Sequence, residues 1–235
     1  MISVMNELRE DKGGGHGPNN LADRLREAVS RPLEEWREVY EGFSPVDLET
    51  GERRPRVPPP DADSRRAAVL VPILIVGEDA RVVYTVRKED LADHAGQISF
   101  PGGSIESGDG SLLETALREA EEEIDLNPGL VEVVGELEEM YIPPSKFQVS
   151  PFVGLLPSEA EMVLAPDEVE EIFTVSLTTL TAPETFRKVI WRRDGRDYEV
   201  PVFALEDPVP RNIWGATAAM TASLLARLGW REYRR

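Results

Sequence analysis

The sequence predicts an α+β fold, a mixed β-sheet sandwiched between helices in an α/β/α arrangement. Two observations predict it. Short apolar runs bounded by turn residues recur along most of the chain, and three longer segments carry apolar residues at helical spacing. Hydrophobic residues make up 41% and charged residues 30%, the balance of a globular protein with a real core. Mixed strands with a few helices bury their apolar faces best as a sheet covered on both sides.

Taken in order, residues 1–20 form a flexible N-terminal segment, with the linker-like run Lys12-Gly-Gly-Gly-His-Gly-Pro-Asn-Asn20. His16 inside that run reads as solvated. Residues 21–42 form an N-terminal helix, because Leu21, Leu25, Val29, Leu33, Trp36 and Tyr40 recur at helical spacing; Pro32 splits or kinks it. Residues 43–64, ending in ERRPRVPPPDADS, read as a Pro-rich linker. The main domain is then 65–235. Strands are expected over 67–76 and 81–87 across the turn Gly77-Glu-Asp-Ala80, followed by a loop that Phe100-Pro-Gly-Gly103 closes. A helix over 112–126 is stopped by Asn127-Pro128-Gly129. Further strands fall over 131–140, 149–156 and 169–175. A hairpin joins 188–193 to 198–204 through Asp194-Gly195, and an Ala-rich helix over 213–228 ends at Gly229. Trp191 and Trp214 read as core residues.

Charge and composition exclude several classes of function. The chain carries 44 acidic and 26 basic side chains, a formal charge of −18. Such a balance argues against nucleic acid as a partner, since that contact depends on Lys and Arg neutralising phosphates. Without cysteine there is no disulfide, thiolate zinc site or cysteine nucleophile, and two histidines exclude a multi-histidine metal site. The longest uncharged apolar run, 67–76, is half of the roughly 20 residues a membrane helix needs. The first residues, MISVMNELREDK, lack the apolar core of a signal peptide, so the expected location is cytoplasmic, with no membrane partner.

The informative stretch runs from Gly102 to Leu126. On a helix of about 100° per residue, Leu113, Leu117, Ala120 and Ile124 share the side that must face the core. Glu119, Glu122 and Glu123, at i, i+3 and i+4, form an adjoining stripe. Three like charges at that spacing repel, so the stripe gains from a cation among them. Mg²⁺ takes oxygen ligands of this kind. Arg118 stands beside the stripe, placed to pair with one carboxylate. Gly102 and Gly103 permit a tight turn before the helix, where a carbonyl can also face a metal.

The stretch from Gly103 to Leu126 resembles the Nudix box of the Nudix hydrolases: Gly, five residues, Glu, seven residues, then Arg-Glu-U-x-Glu-Glu-x-Gly-U, with U bulky and aliphatic. Gly103, Arg118, Glu119, Glu122, Glu123 and Leu126 match. The departures are Asp109 at the first acidic position with one extra residue before Arg118, Ala120 at U, and Asp125 in place of Gly. Upstream, Thr85, Arg87, Gly96 and Phe100-Pro-Gly-Gly103 resemble the motif of the coenzyme A pyrophosphatase branch. There the departures are Val83-Tyr84 for Leu-Leu, Lys88 for Ser/Ala, and Ala92 for the second Arg. The resemblance covers about 65–229.

The resemblance implies a Nudix fold and hydrolysis of a nucleoside diphosphate derivative, a small-molecule nucleotide substrate. Coenzyme A is the first choice, with 3′,5′-ADP and 4′-phosphopantetheine as products. ADP-ribose or a dinucleotide is the alternative favoured by Ala92, and a non-catalytic nucleotide-binding module is the alternative from another class. Mg²⁺ or Mn²⁺ would be held by Glu119, Glu122, Glu123 and Gly103. Glu119 or Glu168 would take the proton from the attacking water, Glu168 being alternatively a further ligand, with Glu123 also in the catalytic set and Arg118 orienting the stripe. A solvated acidic face is the plainer reading of Glu168. Arg87, Arg66 and His94 are the candidate substrate contacts. For Arg87 a surface ion pair, and for His94 a bond to its own backbone, are the plainer alternatives. The 21–42 helix is left with a structural role, dimer contacts included.

Overall fold

A computed structural model describes residues 20–53, 55–58, 63–88, 96–206 and 209–234. Its centre is an eight-stranded mixed sheet. Strand β2 (Arg65–Val76) pairs antiparallel with β3 (Asp79–Arg87) and with the short β5 (Gly102–Ser104), and parallel with β8 (Phe147–Leu156). β3 also carries β4 (Ile98–Ser99) and β9 (Val169–Ser176), while β8 carries β6 (Glu132–Glu136) and β7 (Met140–Ile142). The run expected as one strand over 131–140 is therefore two, β6 and β7, paired to different parts of β8.

Alternation along β2 sends neighbouring residues to opposite faces. Ala68 and Leu70 pack against Ala116, Ala120 and Ile124 of helix α3 (Leu112–Ile124). Ala67, Val71 and Ile73 join a larger cluster with Leu177 and Leu180 of the short helix α4 (Leu177–Thr181) and with helix α5 (Gly215–Arg227). The sheet thus has helices on both faces, as expected.

Helix α1 (Leu21–Ser30) and helix α2 (Trp36–Gly42) are two helices, divided around Pro32. Asn20 caps α1, its side chain accepting from the Asp23 N–H. The boundary drawn at residue 64 does not separate two hydrophobic cores. Leu25, Val39, Tyr40 and Phe43 are fully buried in the same cluster as Val71, Phe203 and Leu225. Phe43 stacks on Phe203 with ring centroids 5.2 Å apart. Arg227 of α5 pairs with Glu138 at 2.6 Å, and the Tyr40 hydroxyl donates to the Glu138 carbonyl. Within the stretch read as linker, β1 (Val46–Asp47) pairs with β11 (Arg196–Leu205), and Arg56 is buried, donating to the Phe43 carbonyl.

A second sheet, not foreseen as separate, consists of β1, β11, β10 (Phe186–Arg193) and β12 (Arg211–Trp214). The hairpin turn has Asp194 at φ 53° and Gly195 at φ 79°, the left-handed pair that a two-residue hairpin requires. Ile213 and Trp214, expected in the last helix, are strand residues that pair with Phe203 and Val202. Gly215, at φ +65°, turns the chain from that strand into α5. Trp191 and Trp214 meet edge to face at 4.8 Å, half-buried on the second sheet. Among the described residues no helix is long and apolar enough to cross a membrane.

Candidate active site

Helix α3 begins at Ser111, whose hydroxyl accepts from the Glu114 N–H, while the Glu114 carboxylate accepts from the Gly110 N–H at 2.8 Å. Its buried face is Thr115, Ala116, Ala120, Glu123 and Ile124. Of the residues expected on the core side, Leu117 packs at the margin of the cluster, and Leu113 takes no part in it. The small Ala116 and Ala120 let the helix lie close on β2, which brings Glu123 down to 2% exposure.

The Gly-Gly turn reaches the helix through β5. A side chain at Gly102 would stand 2.4 Å from the Ala68 carbonyl, and one at Gly103 2.4 Å from a Glu119 carboxylate oxygen. Glycine at 103 therefore lets the Glu119 carboxylate lie directly on the backbone of the turn. Gly102 donates its N–H to Glu123 Oε2 at 3.3 Å, and Arg87, at the end of β3, donates to Glu123 Oε1 at 3.1 Å.

Arg118 bonds with more than the single carboxylate expected. Its guanidinium donates to Asp109 at 2.9 Å, Glu122 at 2.7 Å, Glu119 at 3.0 Å and the Ser104 carbonyl at 3.2 Å. Asp109 also accepts from the Thr115 hydroxyl and the Glu106 N–H. The Arg118 bond, helped by these donors, holds its carboxyl well below the usual range. A depressed folded pKa gives stability that is present above the ordinary Asp pKa and lost as pH falls towards the folded value. Asp109→Asn is thus expected to lower the melting temperature at neutral pH, with the gap to the parent closing below about pH 4. A gap constant from pH 7 to pH 3 would remove the ion pair as its cause.

Burial pushes the Glu123 carboxyl up to about 7; Arg87 opposes the shift, and the charges of Glu119 and Glu168 add to it. Glu119 is raised by burial as well, again with a contribution from Glu168. Glu168 therefore stands close to the stripe, although it comes from the loop before β9. The loop is stitched to the helix end. The Val163 N–H donates to the Ile124 carbonyl and the Ala165 N–H to the Glu123 carbonyl, each at 2.9 Å. The Lys88 N–H closes the other side by donating to the Glu168 carbonyl at 3.1 Å.

Asp125, in the glycine position of the box, ends the helix in the left-handed region at φ 50°. Asp tolerates that region better than most residues, at a cost glycine avoids. Asp125→Gly is expected to raise stability by about 0.5–1 kcal/mol, read by denaturant unfolding. A loss of stability would show that the Asp125 side chain contributes more than its backbone strain costs.

The structure brings together Glu119, Glu122, Glu123, Arg118, Gly103, Glu168 and Arg87. Arg66 is bonded to Glu139, which also accepts from Gln148 and Ser150, rather than to the stripe. His94 and Ala92 lie outside the described residues. Asp109 was legible only as a box position, and the stitching by residues 163 and 165 had no sequence signal. Among the described residues no three carboxylates already converge as a metal cage. The donor set nevertheless fits a hard divalent cation. It is all oxygen, it lies against a glycine turn, and two of its carboxylates are desolvated beyond what their arginines offset.

An α+β domain whose mixed sheet carries one glutamate-lined helix, docked on a Gly-Gly turn, is thus the class of protein that fold and site define. Comparison with known proteins gives the family. The NUDIX domain model matches residues 64–193. The chain is 34% identical over 182 residues to an uncharacterized Nudix hydrolase, NudL, of Citrobacter koseri, covering 76% of this chain and 90% of that protein. It is 32% identical over 180 residues to the NudL of Enterobacter sp. (strain 638), covering 75% and 89%. Among solved structures, a MutT/nudix family protein from Enterococcus faecalis aligns with a TM-score of 0.48 at 13% identity, covering 91% of this chain and 76% of that one. The chain belongs to the Nudix family and is a Nudix hydrolase.

Proposed function

We propose that the protein hydrolyses the diphosphate bond of coenzyme A, with Mg²⁺ or Mn²⁺, to 3′,5′-ADP and 4′-phosphopantetheine. The observation that carries this reading is the meeting of the two sequence motifs on one carboxylate. Arg87 and Gly102, from the upstream motif, both donate to Glu123 of the box. Arg87 and the Gly102-Gly103 turn thereby act as one unit with residues 118–123, and the upstream motif is the part that resembles the coenzyme A branch.

Glu119, Glu122 and Glu123, with the Gly103 carbonyl, are the residues that would hold the divalent ion. When bound, that ion neutralises the diphosphate and lowers the pKa of water. Arg118 bridges Asp109, Glu119 and Glu122 and so fixes the rotamers of the stripe. Glu119 is tied to Arg118, whereas Glu168 stands near the stripe without an ion-pair partner among the described residues. We therefore assign to Glu168 the proton released as water attacks phosphorus. Arg87 orients Glu123, and its partly exposed guanidinium is the group we assign to a phosphate oxygen of the substrate.

A metal-dependent screen of coenzyme A, ADP-ribose and dinucleotides, with products read by mass, tests the proposal. Release of 3′,5′-ADP from coenzyme A is the expected result. Faster cleavage of ADP-ribose or a dinucleotide would replace coenzyme A, the reading that Ala92 favours. No release from any of them with either metal would leave a nucleotide-binding module.

A further inference from the structure

On the face of the central sheet that α5 covers, away from α3, four side chains are stacked in a line. Arg211, at the start of β12, has its guanidinium carbon 4.3 Å from the centre of the Phe173 ring. Phe173 stacks on Tyr84 with centroids 5.5 Å apart, and Tyr84 stacks on Phe100 at 5.1 Å. Each ring belongs to a piece of chain that delivers one part of the site. Phe173 lies on β9, which follows Glu168; Tyr84 lies on β3, which ends in Arg87; Phe100 opens the turn that runs into Gly102 and Gly103. Tyr84 is fully buried, and its hydroxyl meets the Thr221 hydroxyl of α5 at 3.1 Å, so the middle of the stack is fixed.

Arg211 closes the open end of that stack and comes from the second sheet. Its guanidinium is forked onto the Glu171 carboxylate, with both bonds at 3.2 Å, and its side chain is only 13% exposed. A pair enclosed on the cation's side and stacked on a ring holds its geometry better than an exposed one. Glu171 faces Val86, whereas Val169 faces Arg87, so Glu170 is an extra residue and β9 is bulged at its start. A bulge bends its strand and re-aims the side chains beside it. This one lies between the fork on Glu171 and Glu168. We propose that Arg211 is a positioning residue for the hydrolysis: by clamping Glu171 and Phe173 it fixes the bulged start of β9, and with it the place of Glu168 beside the stripe. The proposal rests on the assignment of the proton to Glu168.

A double-mutant cycle tests it. With Mg²⁺ and whichever of coenzyme A, ADP-ribose and dinucleotides is cleaved, kcat and KM are measured for the parent, Arg211→Met, Glu168→Gln and the double variant, together with amide hydrogen exchange. Arg211→Met is expected to lower kcat by about ten- to a hundredfold and to leave KM within about twofold, because a displaced base is missed in the transition state and not in substrate binding. In the Glu168→Gln background the same substitution should change kcat by less than about twofold, since the group it positions is already gone. The amides of Glu168 and Val169, which both donate to the Ala165 carbonyl, should exchange about tenfold faster in Arg211→Met, while those of α3 keep the parent rate. Arg211→Lys, which keeps a cation near Phe173 and loses the fork, carries the same cycle if Arg211→Met does not fold. Equal losses of kcat in both backgrounds, or unchanged exchange at Glu168 and Val169, would overturn the proposal and leave Glu168 as the base. Undiminished turnover in Glu168→Gln would instead remove the base assignment, and the positioning role with it.

Discussion

Glu123→Gln is expected to abolish hydrolysis while the protein stays folded. The amide has the shape of the carboxylate and can still accept from the Gly102 N–H, so the turn against the helix keeps its contact. What it loses is charge at a site where burial already works against charge. A carboxyl whose folded pKa is raised to about 7 subtracts stability as pH rises above its ordinary value, and the amide removes that penalty. The melting temperature at pH 8 should therefore be no lower than that of the parent, with Arg87 left to water. Turnover should fall on the order of a thousandfold or more, as when a charge that stabilises a transition state is deleted. Glu122→Gln should also abolish turnover, although Glu122 is 57% exposed and its loss should hardly change stability. Full activity in either purified variant would remove that residue from the metal assignment.

The second large effect concerns residues 1–64. A chain that starts at Arg65 is expected not to fold. It would lack Leu25, Val39, Tyr40 and Phe43, all fully buried, and would uncover their partners on α5 and β11. Truncating one large buried side chain costs about 2–5 kcal/mol, against a net stability of about 5–15 kcal/mol for a whole domain. The Glu138 carbonyl would also lose the hydrogen bond that it accepts from the Tyr40 hydroxyl. Phe43→Ala alone should cost about 3–5 kcal/mol by denaturant unfolding. A soluble 65–235 chain with a cooperative melt near the parent's would show that the N-terminal helices are dispensable.

Much of the fold was legible because its signals are local. The apolar runs became β2, β3, β8 and β9, Asp194-Gly195 became a hairpin turn, and Pro32 divided two helices. What stayed illegible depends on partners distant in sequence. The helical spacing of Leu25, Val29 and Tyr40 says that a face is buried but not against what. Nothing local marks Ile213 and Trp214 as a strand, because they are strand only through Phe203 and Val202. The stripe of Glu119, Glu122 and Glu123 could be read from helix periodicity and Arg118 from adjacency. The contact of Arg87 with Glu123 could not, since it needs β3 and α3 placed on one sheet. Arg66 shows the opposite case, a cation in a family-like stretch whose partner is Glu139.

The backbone bonds from Val163 and Ala165 to the end of α3 also bear on how the site is born. Glu168 can take its place only after α3 has docked, β8 has paired in parallel with β2, and the loop has turned back onto the carbonyls of Glu123 and Ile124. Parallel pairing between distant strands is among the slow steps of folding. The acidic helix can form early, being local and capped, yet its carboxylates gain their companion from across the loop only when the long-range topology is complete. During synthesis the chain would thus bring Glu168 to the stripe late, after the sheet that carries it, and if Glu168 takes the proton as proposed, a partly folded molecule would hold the acidic helix without its base.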